Sequence, residues 1–239
     1  MPKTAAPAAY TNTLSISLDG IDDYVNVADN SNLSFGNGST DSPFSISAWI
    51  KIGQTTTQGI VSKYGTNNVT REYLFQITAS KIRLTLIASG GATNFATGNT
   101  ALSLNTWHHV AFTYDGSGGA TAYNGIKLYV NGTAETATTG GSAYTAMTNT
   151  VTDVEIGRYG SRELNGAMDE VAIFSSELSQ SDITSIYNGG VPNDISSLNP
   201  LSWWRCGDGD TSPILTDNGS GGNDGTMTNF TTFSTDVPI

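Results

Sequence analysis

The chain has 239 residues, of which 37% are hydrophobic and 13% are charged, and its formal net charge is −11. This length can bury one substantial core, whereas the acidic balance disfavours binding to a nucleic-acid backbone or to an anionic membrane. Cys206 is the single cysteine, which excludes an intrachain disulfide, and no apolar run is long enough for a signal peptide or a membrane span.

The N-terminal residues predict a leader followed by two strands around an acidic turn. Residues 1–12 are expected to form a flexible leader. Apolar and polar residues alternate over residues 14–18, and the alternation resumes over residues 24–27, after a turn that contains three aspartates. A period of two is typical of strands with one buried face.

Residues 44–52 give the strongest strand pattern of the chain. One face of this predicted strand carries only Phe44, Ile46, Ala48, Ile50 and Ile52. The composition fits many such strands, because threonine suits a pleated surface while glycine and asparagine suit turns. Further strands are predicted at residues 60–63, 72–78, 81–88, 107–114, 126–130, 153–157 and 167–174.

Two local motifs mark a hairpin and a helix. The dipeptide Asn131-Gly132 after an apolar strand predicts a two-residue hairpin. Ser179 and Asp182 have capping-box spacing, and two glycines at residues 189–190 end the helix that they begin. The sequence therefore predicts an all-β chain with one short helix near residues 179–188.

Seven segments in series resemble a known family. They are LDGIDDYV at 18–25, FSISAWIK at 44–51, WHHVAFTYDG at 107–116, LYVNG at 128–132, IG at 156–157, LNGAMDEV at 164–171 and the helical segment at 178–188. Their order, spacing and identity resemble a laminin-G-like domain of the concanavalin-A-like superfamily. The resemblance implies a two-sheet antiparallel jelly-roll sandwich over residues 13–195, often with a calcium ion at its rim.

The tail, residues 196–239, departs from that family. Its segments at 201–205 and 217–227 resemble the part that usually precedes the family's first strand, but here they come last. Either the chain is permuted and the tail supplies strands to the same sandwich, or the tail is an assembly arm or the opening of a second domain. If the tail folds back, Leu201, Trp203 and Met227 are expected in the core, with Trp204 on the opposite face.

Asp19, Asp22 and Asp23 form the densest acidic cluster and are candidate calcium ligands. Carboxylate oxygens in a glycine-containing turn are donors that calcium prefers. The resemblance pairs the strand of Asp169 with the first strand, which makes Asp169 a candidate fourth ligand. The alternative is an acidic turn in which aspartates accept hydrogen bonds from backbone N–H groups.

Catalytic arrangements are not expected. His108 and His109 are neighbours on a predicted strand, so they point to opposite faces and cannot share an ion. Retaining glycosidases need two carboxylates about 5 Å apart. Asp153 and Glu155 share a face but lack the third acid that glycanases of this architecture carry, and Asp169 and its neighbour Glu170 point apart. The sequence therefore predicts a protein that is not an enzyme.

Aromatic side chains in predicted loops are candidate ligand contacts, because exposed rings stack on sugars. The ligand-binding candidates are Trp204, Tyr159 and Tyr144. The alternative for each ring is packing in the core or within its own loop.

Two functions follow from these features. A chain that begins at Met, has one cysteine and carries no attached enzyme favours a virion or surface-display structural protein, such as a capsid-decorating, tail or appendage component of a phage. The expected partners are other virion or surface proteins, copies of itself and glycans, and the expected location is the virion surface or the extracellular space. The alternative is a calcium-dependent carbohydrate-binding or adhesion module.

Overall fold

The computed structural model describes residues 10–239, in which short strands follow one another with few helical turns. Residues 1–9 of the predicted leader lie outside the described residues. The strands are β1 Ser15–Asp19, β2 Tyr24–Val27, β3 Phe44–Ile52, β4 Gln58–Tyr64, β5 Arg71–Thr78, β6 Lys81–Ile87, β7 Thr93–Gly98, β8 Trp107–Tyr114, β9 Ile126–Val130, β10 Thr133–Ala134, β11 Ala137–Gly141, β12 Val154–Ile156, β13 Arg158–Tyr159, β14 Arg162–Glu163, β15 Asn165–Phe174, β16 Ser202–Trp204, β17 Ile214–Leu215, β18 Gly225–Thr228 and β19 Phe233–Ser234; the α-helix α1 is Gln180–Tyr187.

The strands form two antiparallel sheets. The first has the order β10-β9-β8-β3-β15-β1-β19, and β16 pairs with the free part of β15. The second has the order β11-β7-β6-β5-β4-β12-β2-β18-β17, and β13 and β14 form a separate hairpin. The prediction of a two-sheet antiparallel jelly-roll sandwich with one short helix is confirmed.

The core lies between the two sheets. Phe44 of β3 meets Phe112 of β8 edge to face at 5.0 Å and stacks on Phe35 at 4.3 Å. Tyr73 and Phe75 of the second sheet close the other side of this aromatic group. The apolar face predicted for residues 44–52 is buried, with Phe44, Ile46, Ala48, Ile50 and Ile52 all at 0% exposure, and so are Val110, Phe112, Leu128, Val130 and Val171 of the neighbouring strands.

The two local motifs have their predicted geometry. Asn131 and Gly132 connect β9 to β10 with φ of +49° and +74°, the left-handed backbone that a two-residue hairpin requires. Ser179 and Asp182 form a full capping box, each side chain accepting a hydrogen bond from the backbone of the other. Both predictions are confirmed.

The tail contributes strands to both sheets. In the first sheet, β16 pairs with β15 and β19 pairs with β1; in the second, β18 pairs with β2. Met227 lies in the core as expected, but the two tryptophans are exchanged. Trp204 is fully buried in the core between the sheets and Trp203 lies on the outer face, which is the reverse of the prediction.

An apolar cluster seals the outer face of the first sheet. It consists of Ala111, Tyr129, Ala172, Phe174 and Trp203 from the sheet, and of Leu178, Ile183, Ile186 and Ile195 from α1 and its flanking segments. We call this the covered face. None of the helices in residues 10–239 is long and apolar enough to cross a membrane.

Candidate functional site

The outer face of the second sheet carries several polar side chains and, within residues 10–239, is not covered by α1, which packs on the first sheet. Register places Thr97, Arg83 and Gln76 opposite one another on β7, β6 and β5. In these strands the alternate residues point inward and are apolar, for example Leu84 and Phe75. We call this surface the polar face; it comprises Leu74, Gln76, Arg83, Thr85, Phe95 and Thr97.

The β13–β14 hairpin forms a wall along one side of the polar face. It crosses β4 at Gly59, where an added Cβ would lie 2.3 Å from the carbonyl carbon of Arg158. The Ser62 hydroxyl donates a 2.9 Å hydrogen bond to the Arg158 carbonyl oxygen and holds the hairpin down. Tyr159 of this hairpin meets Tyr64 edge to face, with ring centroids 5.4 Å apart. The wall therefore presents two aromatic rings beside the polar floor.

Arginines stack on aromatic rings around this surface. The Arg83 guanidinium lies 3.7 Å from the centre of the Phe95 ring, and Arg158 lies 3.5 Å from that of Tyr24. Arg71 covers Tyr64 in the same way, at 4.1 Å. Such contacts orient a guanidinium while leaving the N–H donors at its edge unused.

Two adjacent side chains of the polar face each have a polar atom without a hydrogen-bond partner. Gln76 Oε1 and Arg83 Nε are buried, and neither has a partner in the described chain. Burial lowers the pKa of Arg83, as expected for a cation that leaves water without a carboxylate beside it. A buried polar atom without a partner costs about 1–3 kcal/mol. This pair is therefore the part of the polar face best prepared to receive a hydrogen-bonding ligand.

The acidic turn is a second candidate site. Asp19, Asp22 and Asp23 each place a carboxylate oxygen within 4.8 Å of the others. Burial, together with the charges of its two neighbours, raises the pKa of Asp23, a strain that a bound cation would relieve. The three residues fit calcium in donor type and supply three of the six to eight oxygens that it takes.

The same carboxylates also stabilise the turn itself. Asp19 Oδ1 accepts hydrogen bonds from the backbone N–H groups of Ile21 at 2.8 Å and Asp22 at 3.3 Å. Asp23 Oδ2 accepts from the backbone N–H of Asp19 at 3.1 Å. The turn thus has the features of both alternatives drawn from the sequence.

The structure corrects the role expected of Asp169. Its strand does pair with β1, but Asp19 lies opposite Asn165, and four strand residues separate Asn165 from Asp169, roughly 13 Å at about 3.3 Å each. Asp169 instead accepts a 2.9 Å hydrogen bond from Asn12 and lies beside Glu170. Burial, and then the charge of Glu170, raise its pKa well above the ordinary value. The prediction that Asp169 is a fourth calcium ligand is therefore wrong.

Two of the three aromatic ligand candidates are also corrected. Trp204 is fully buried and donates a 2.8 Å hydrogen bond from Nε1 to the Asn223 carbonyl oxygen. Tyr144 is 2% exposed and donates to Asp41 at 2.6 Å. Neither ring has a free face for a ligand. Tyr159, in contrast, is partly exposed at the wall of the polar face.

The histidines and the paired acids are engaged in structure. His109 is fully buried and its Nε2 lies 2.8 Å from Ser47 Oγ, while burial lowers its pKa to about 3. Asp153 accepts hydrogen bonds from Asn26 at 3.0 Å and from the backbone of Asp29 at 2.9 Å. Glu155 forms an ion pair with Arg158. These acids stabilise the second sheet and its hairpin.

A laminin G family model, described as the concanavalin A-like lectin/glucanases superfamily, matches residues 19–184. The chain belongs to this superfamily. The resemblance inferred from the seven sequence segments is confirmed. Comparison with the curated proteins gives no match.

Two solved structures are similar to this chain. A candidate carbohydrate-binding protein from Bacteroides ovatus has a TM-score of 0.60 and 20% identity, over 94% of this chain and 62% of that one. The binding domain of Paraclostridial Mosquitocidal Protein 1 has a TM-score of 0.52 and 15% identity, over 68% of this chain and 40% of that one. This chain therefore spans less than two thirds of either protein, and at these identities the likeness shows the shared fold.

The sequence analysis did not identify the polar face of this protein or its residues Gln76 and Arg83. The signal was present in the short turn at Ala79 and Ser80, which joins β5 directly to β6. A two-residue turn fixes the register and places Gln76 opposite Arg83. Counting outward from that turn would have brought the two side chains together.

Proposed function

We propose that the chain is a non-catalytic glycan-binding domain and that its ligand lies on the polar face. The observation that carries the proposal is the pair Gln76 and Arg83, neighbours across β5 and β6 with unmet hydrogen bonds, beside the rings of Tyr159 and Tyr64.

The chemistry of this surface suits a sugar. Sugar rings present apolar C–H faces that stack on aromatic side chains, and equatorial hydroxyls that bond planar amide and guanidinium groups. Gln76 offers an amide, Arg83 a guanidinium, and Thr85 and Thr97 flank Arg83 on the same face. The hairpin borders this surface on one side and places Tyr159 next to it. The fold is shared with the candidate carbohydrate-binding protein of Bacteroides ovatus, which is in keeping with the proposal.

A binding role without turnover accounts for the carboxylates near the polar face. Glycoside hydrolysis needs one carboxylate free to act on the sugar and a second about 5 Å away or further. Glu155 is paired with Arg158, and Asp153 accepts hydrogen bonds from Asn26 and Asp29. Both acids are held by the protein and point their oxygens at its own donors.

The proposal is tested by affinity electrophoresis on gels that contain neutral or acidic polysaccharides. We expect at least one polymer to retard the wild-type protein and Tyr159→Ala to reduce that retardation at least fivefold. Tyr123→Ala is the matched control, because Tyr123 is also a partly buried tyrosine but lies in the Ala122–Gly125 turn away from the hairpin. Equal retardation of both variants, or of no protein by any polymer, would contradict the proposal.

Calcium dependence and surface display stay predictions. The 4.8 Å grouping of Asp19, Asp22 and Asp23 supports a cation at the acidic turn. A display role on a virion is compatible with glycan binding, because a domain on a particle surface can itself hold sugars. Neighbouring genes for structural virion proteins would support display, and genes for polysaccharide degradation would support a free-standing binding module.

A further inference from the structure

Most of the arginines of this acidic protein lie on one side of the second sheet, whereas Lys51 and Lys127 lie on the first. The chain has five arginines, and four of them, Arg71, Arg83, Arg158 and Arg162, lie on the polar face or on the strand ends and hairpin beside it. The net charge of the whole chain is −11. The polar face and its borders therefore carry a local concentration of arginines, which we call the basic surface, on a molecule whose net charge is negative.

Arg83 differs from Arg71 and Arg158, which are engaged within the protein, and from Arg162, which is exposed on the hairpin. Arg158 is paired with Glu155, and Arg71 donates hydrogen bonds to the Gly65 carbonyl at 3.0 Å and to Asn68 at 2.6 Å. Arg83 takes part in none of the seven ion pairs formed within residues 10–239. Among the described residues, this guanidinium is in contact with a ring but lacks a carboxylate.

The contact with Phe95 decides which part of Arg83 is free. The guanidinium carbon lies over the Phe95 ring, 3.7 Å from its centre, a position that leaves N–H groups at the guanidinium edge for a ligand. Two parallel N–H groups at that edge match the two oxygens of a carboxylate. The Phe95 contact also fixes the orientation of the fork before a ligand arrives, which reduces the entropy lost on binding.

We propose that Arg83 binds the carboxylate of a uronic acid unit, so that the ligand of the polar face is an acidic polysaccharide; this inference rests on the proposed glycan-binding function. Gln76 lies opposite Arg83 on β5 and Thr97 lies opposite it on β7, in position to bond ring hydroxyls on either side of the carboxylate. Tyr159, on the hairpin wall, stacks on the adjoining sugar.

The overall charge makes this binding selective. A protein with a charge of −11 gains nothing from a polyanion outside the basic surface, so an acidic polymer is held only where its carboxylate meets Arg83. At about 0.15 M salt the repulsion from distant acids is screened beyond roughly 8 Å, whereas the direct contact persists.

The experiment is calorimetric titration at 0.15 M salt with oligomers of polygalacturonate, polymannuronate and polyglucuronate. We expect at least one of these to bind, and its carboxyl-reduced counterpart to bind at least tenfold more weakly. Arg83→Gln should lower the affinity for the uronate at least tenfold and that for the reduced oligomer much less, because the reduced oligomer loses only a hydroxyl contact to Arg83. Arg83→Lys keeps the positive charge but lacks the two parallel N–H groups of the guanidinium, and should recover only part of the lost affinity.

Lys127→Gln is the charge-matched control, because Lys127 is an exposed cation on β9 of the first sheet, and it should change neither affinity. Equal binding of the uronate and its reduced form, or a uronate affinity that Arg83→Gln does not alter, overturns the inference. Arg83-dependent binding of sulfated dextran without binding of any uronate overturns the choice of carboxylate. If neutral polymers bind through Tyr159 while uronates are not preferred, this inference fails and the glycan-binding proposal stands.

Discussion

On the covered face, Ala172, Phe174 and Trp203 lie beneath α1, whereas on the polar face Gln76 and Arg83 lie beside the β13–β14 hairpin and away from α1 and its flanking segments. On the first surface the Nε1 of Trp203 donates to Glu170 at 2.6 Å, while His109 Nδ1 and Thr113 Oγ1 are buried without a partner among the described residues. The second leaves Gln76 Oε1 and Arg83 Nε without partners. Both sheets bury their inner faces in the same core, so the contrast is confined to the outer ones.

The contrast teaches where this sandwich can carry a function. Burying a large apolar side chain stabilises a protein by about 1.5–3 kcal/mol, and the covered face collects many such contributions. Buried polar groups without a hydrogen-bond partner destabilise the protein instead. Both outer faces retain such groups, but those of the polar face lie clear of α1 and its flanking segments, so a ligand can gain free energy there by hydrogen bonding to them.

The largest effect is expected from removing the tail, which serves both sheets. Truncation after Pro200 deletes β16 to β19, with Trp203 from the covered face and Trp204 from the core. We expect no cooperative unfolding transition in the truncated chain by circular dichroism. Shortening by Ile239 alone, which is 94% exposed, should leave the melt unchanged. A truncated chain that melts cooperatively near the wild-type temperature would mean that the tail is dispensable.

Single substitutions sharpen the comparison between the two outer faces. Trp203→Ala should lower the free energy of unfolding by about 3–5 kcal/mol. The substitution opens a cavity under α1 and removes the hydrogen bond that Glu170 accepts from the Trp203 ring. Phe95→Ala on the polar face should lower it by about 1 kcal/mol, the stacked contact with Arg83 being the main loss. Urea unfolding of both variants measures the difference. Equal losses would show that the polar face is as integral to stability as the covered one.

The covered face should also make stability depend on pH through His109. Burial lowers its pKa to about 3, so the unfolded chain binds a proton below pH 6.5 that the folded chain refuses. Its contribution is fully present above pH 6.5 and is lost as the pH falls, by about 3 kcal/mol at pH 4.5.

The test follows the free energy of unfolding from pH 6.5 to 4.5. His109→Gln, which keeps a partner for Ser47, should lose much less over this range than the wild type. His108→Gln, at a partly exposed position on the same strand, should retain most of the loss. Identical pH profiles for His109→Gln and the wild type would place the acid sensitivity elsewhere.

An effect slightly smaller than that of His109 is expected at the acidic turn. If calcium binds there and only to the folded state, a hundredfold excess over its Kd adds about 2.7 kcal/mol. Chelator should lower the melting temperature and calcium should restore it. Asp22→Asn should abolish the response without removing a hydrogen bond within the turn, since the turn's bonds are accepted by Asp19 and Asp23. Glu177→Gln is the control, and an identical wild-type melt in chelator and calcium excludes the site.

The sequence predicted most of the fold because its patterns are local. The alternation of β3, the hairpin dipeptide at Asn131 and the capping box at Ser179 each depend on a few consecutive residues. The family segments then supplied the order of the strands, which no local pattern contains.

The errors share a physical cause, since each depends on contacts between distant parts of the chain. Alternation places Trp203 and Trp204 on opposite faces but does not state which face is inward, and the pairing of β16 with β15 decides it. The proximity of two strands does not fix their register, which is why Asp169 was assigned to the wrong end of β15. The polar face required the pairing of three strands to become visible.

The position of the tail strands has a consequence for synthesis. A ribosome releases β1 and β2 first, yet β1 pairs with β19 and β2 pairs with β18, which emerge last. Until then the edges of both sheets carry open backbone groups, and the slot for Trp204 is unfilled. The sandwich can therefore close only after β18 and β19 have been synthesised. Until then, rapid folding or a chaperone is needed to keep the open strand edges from pairing with another chain.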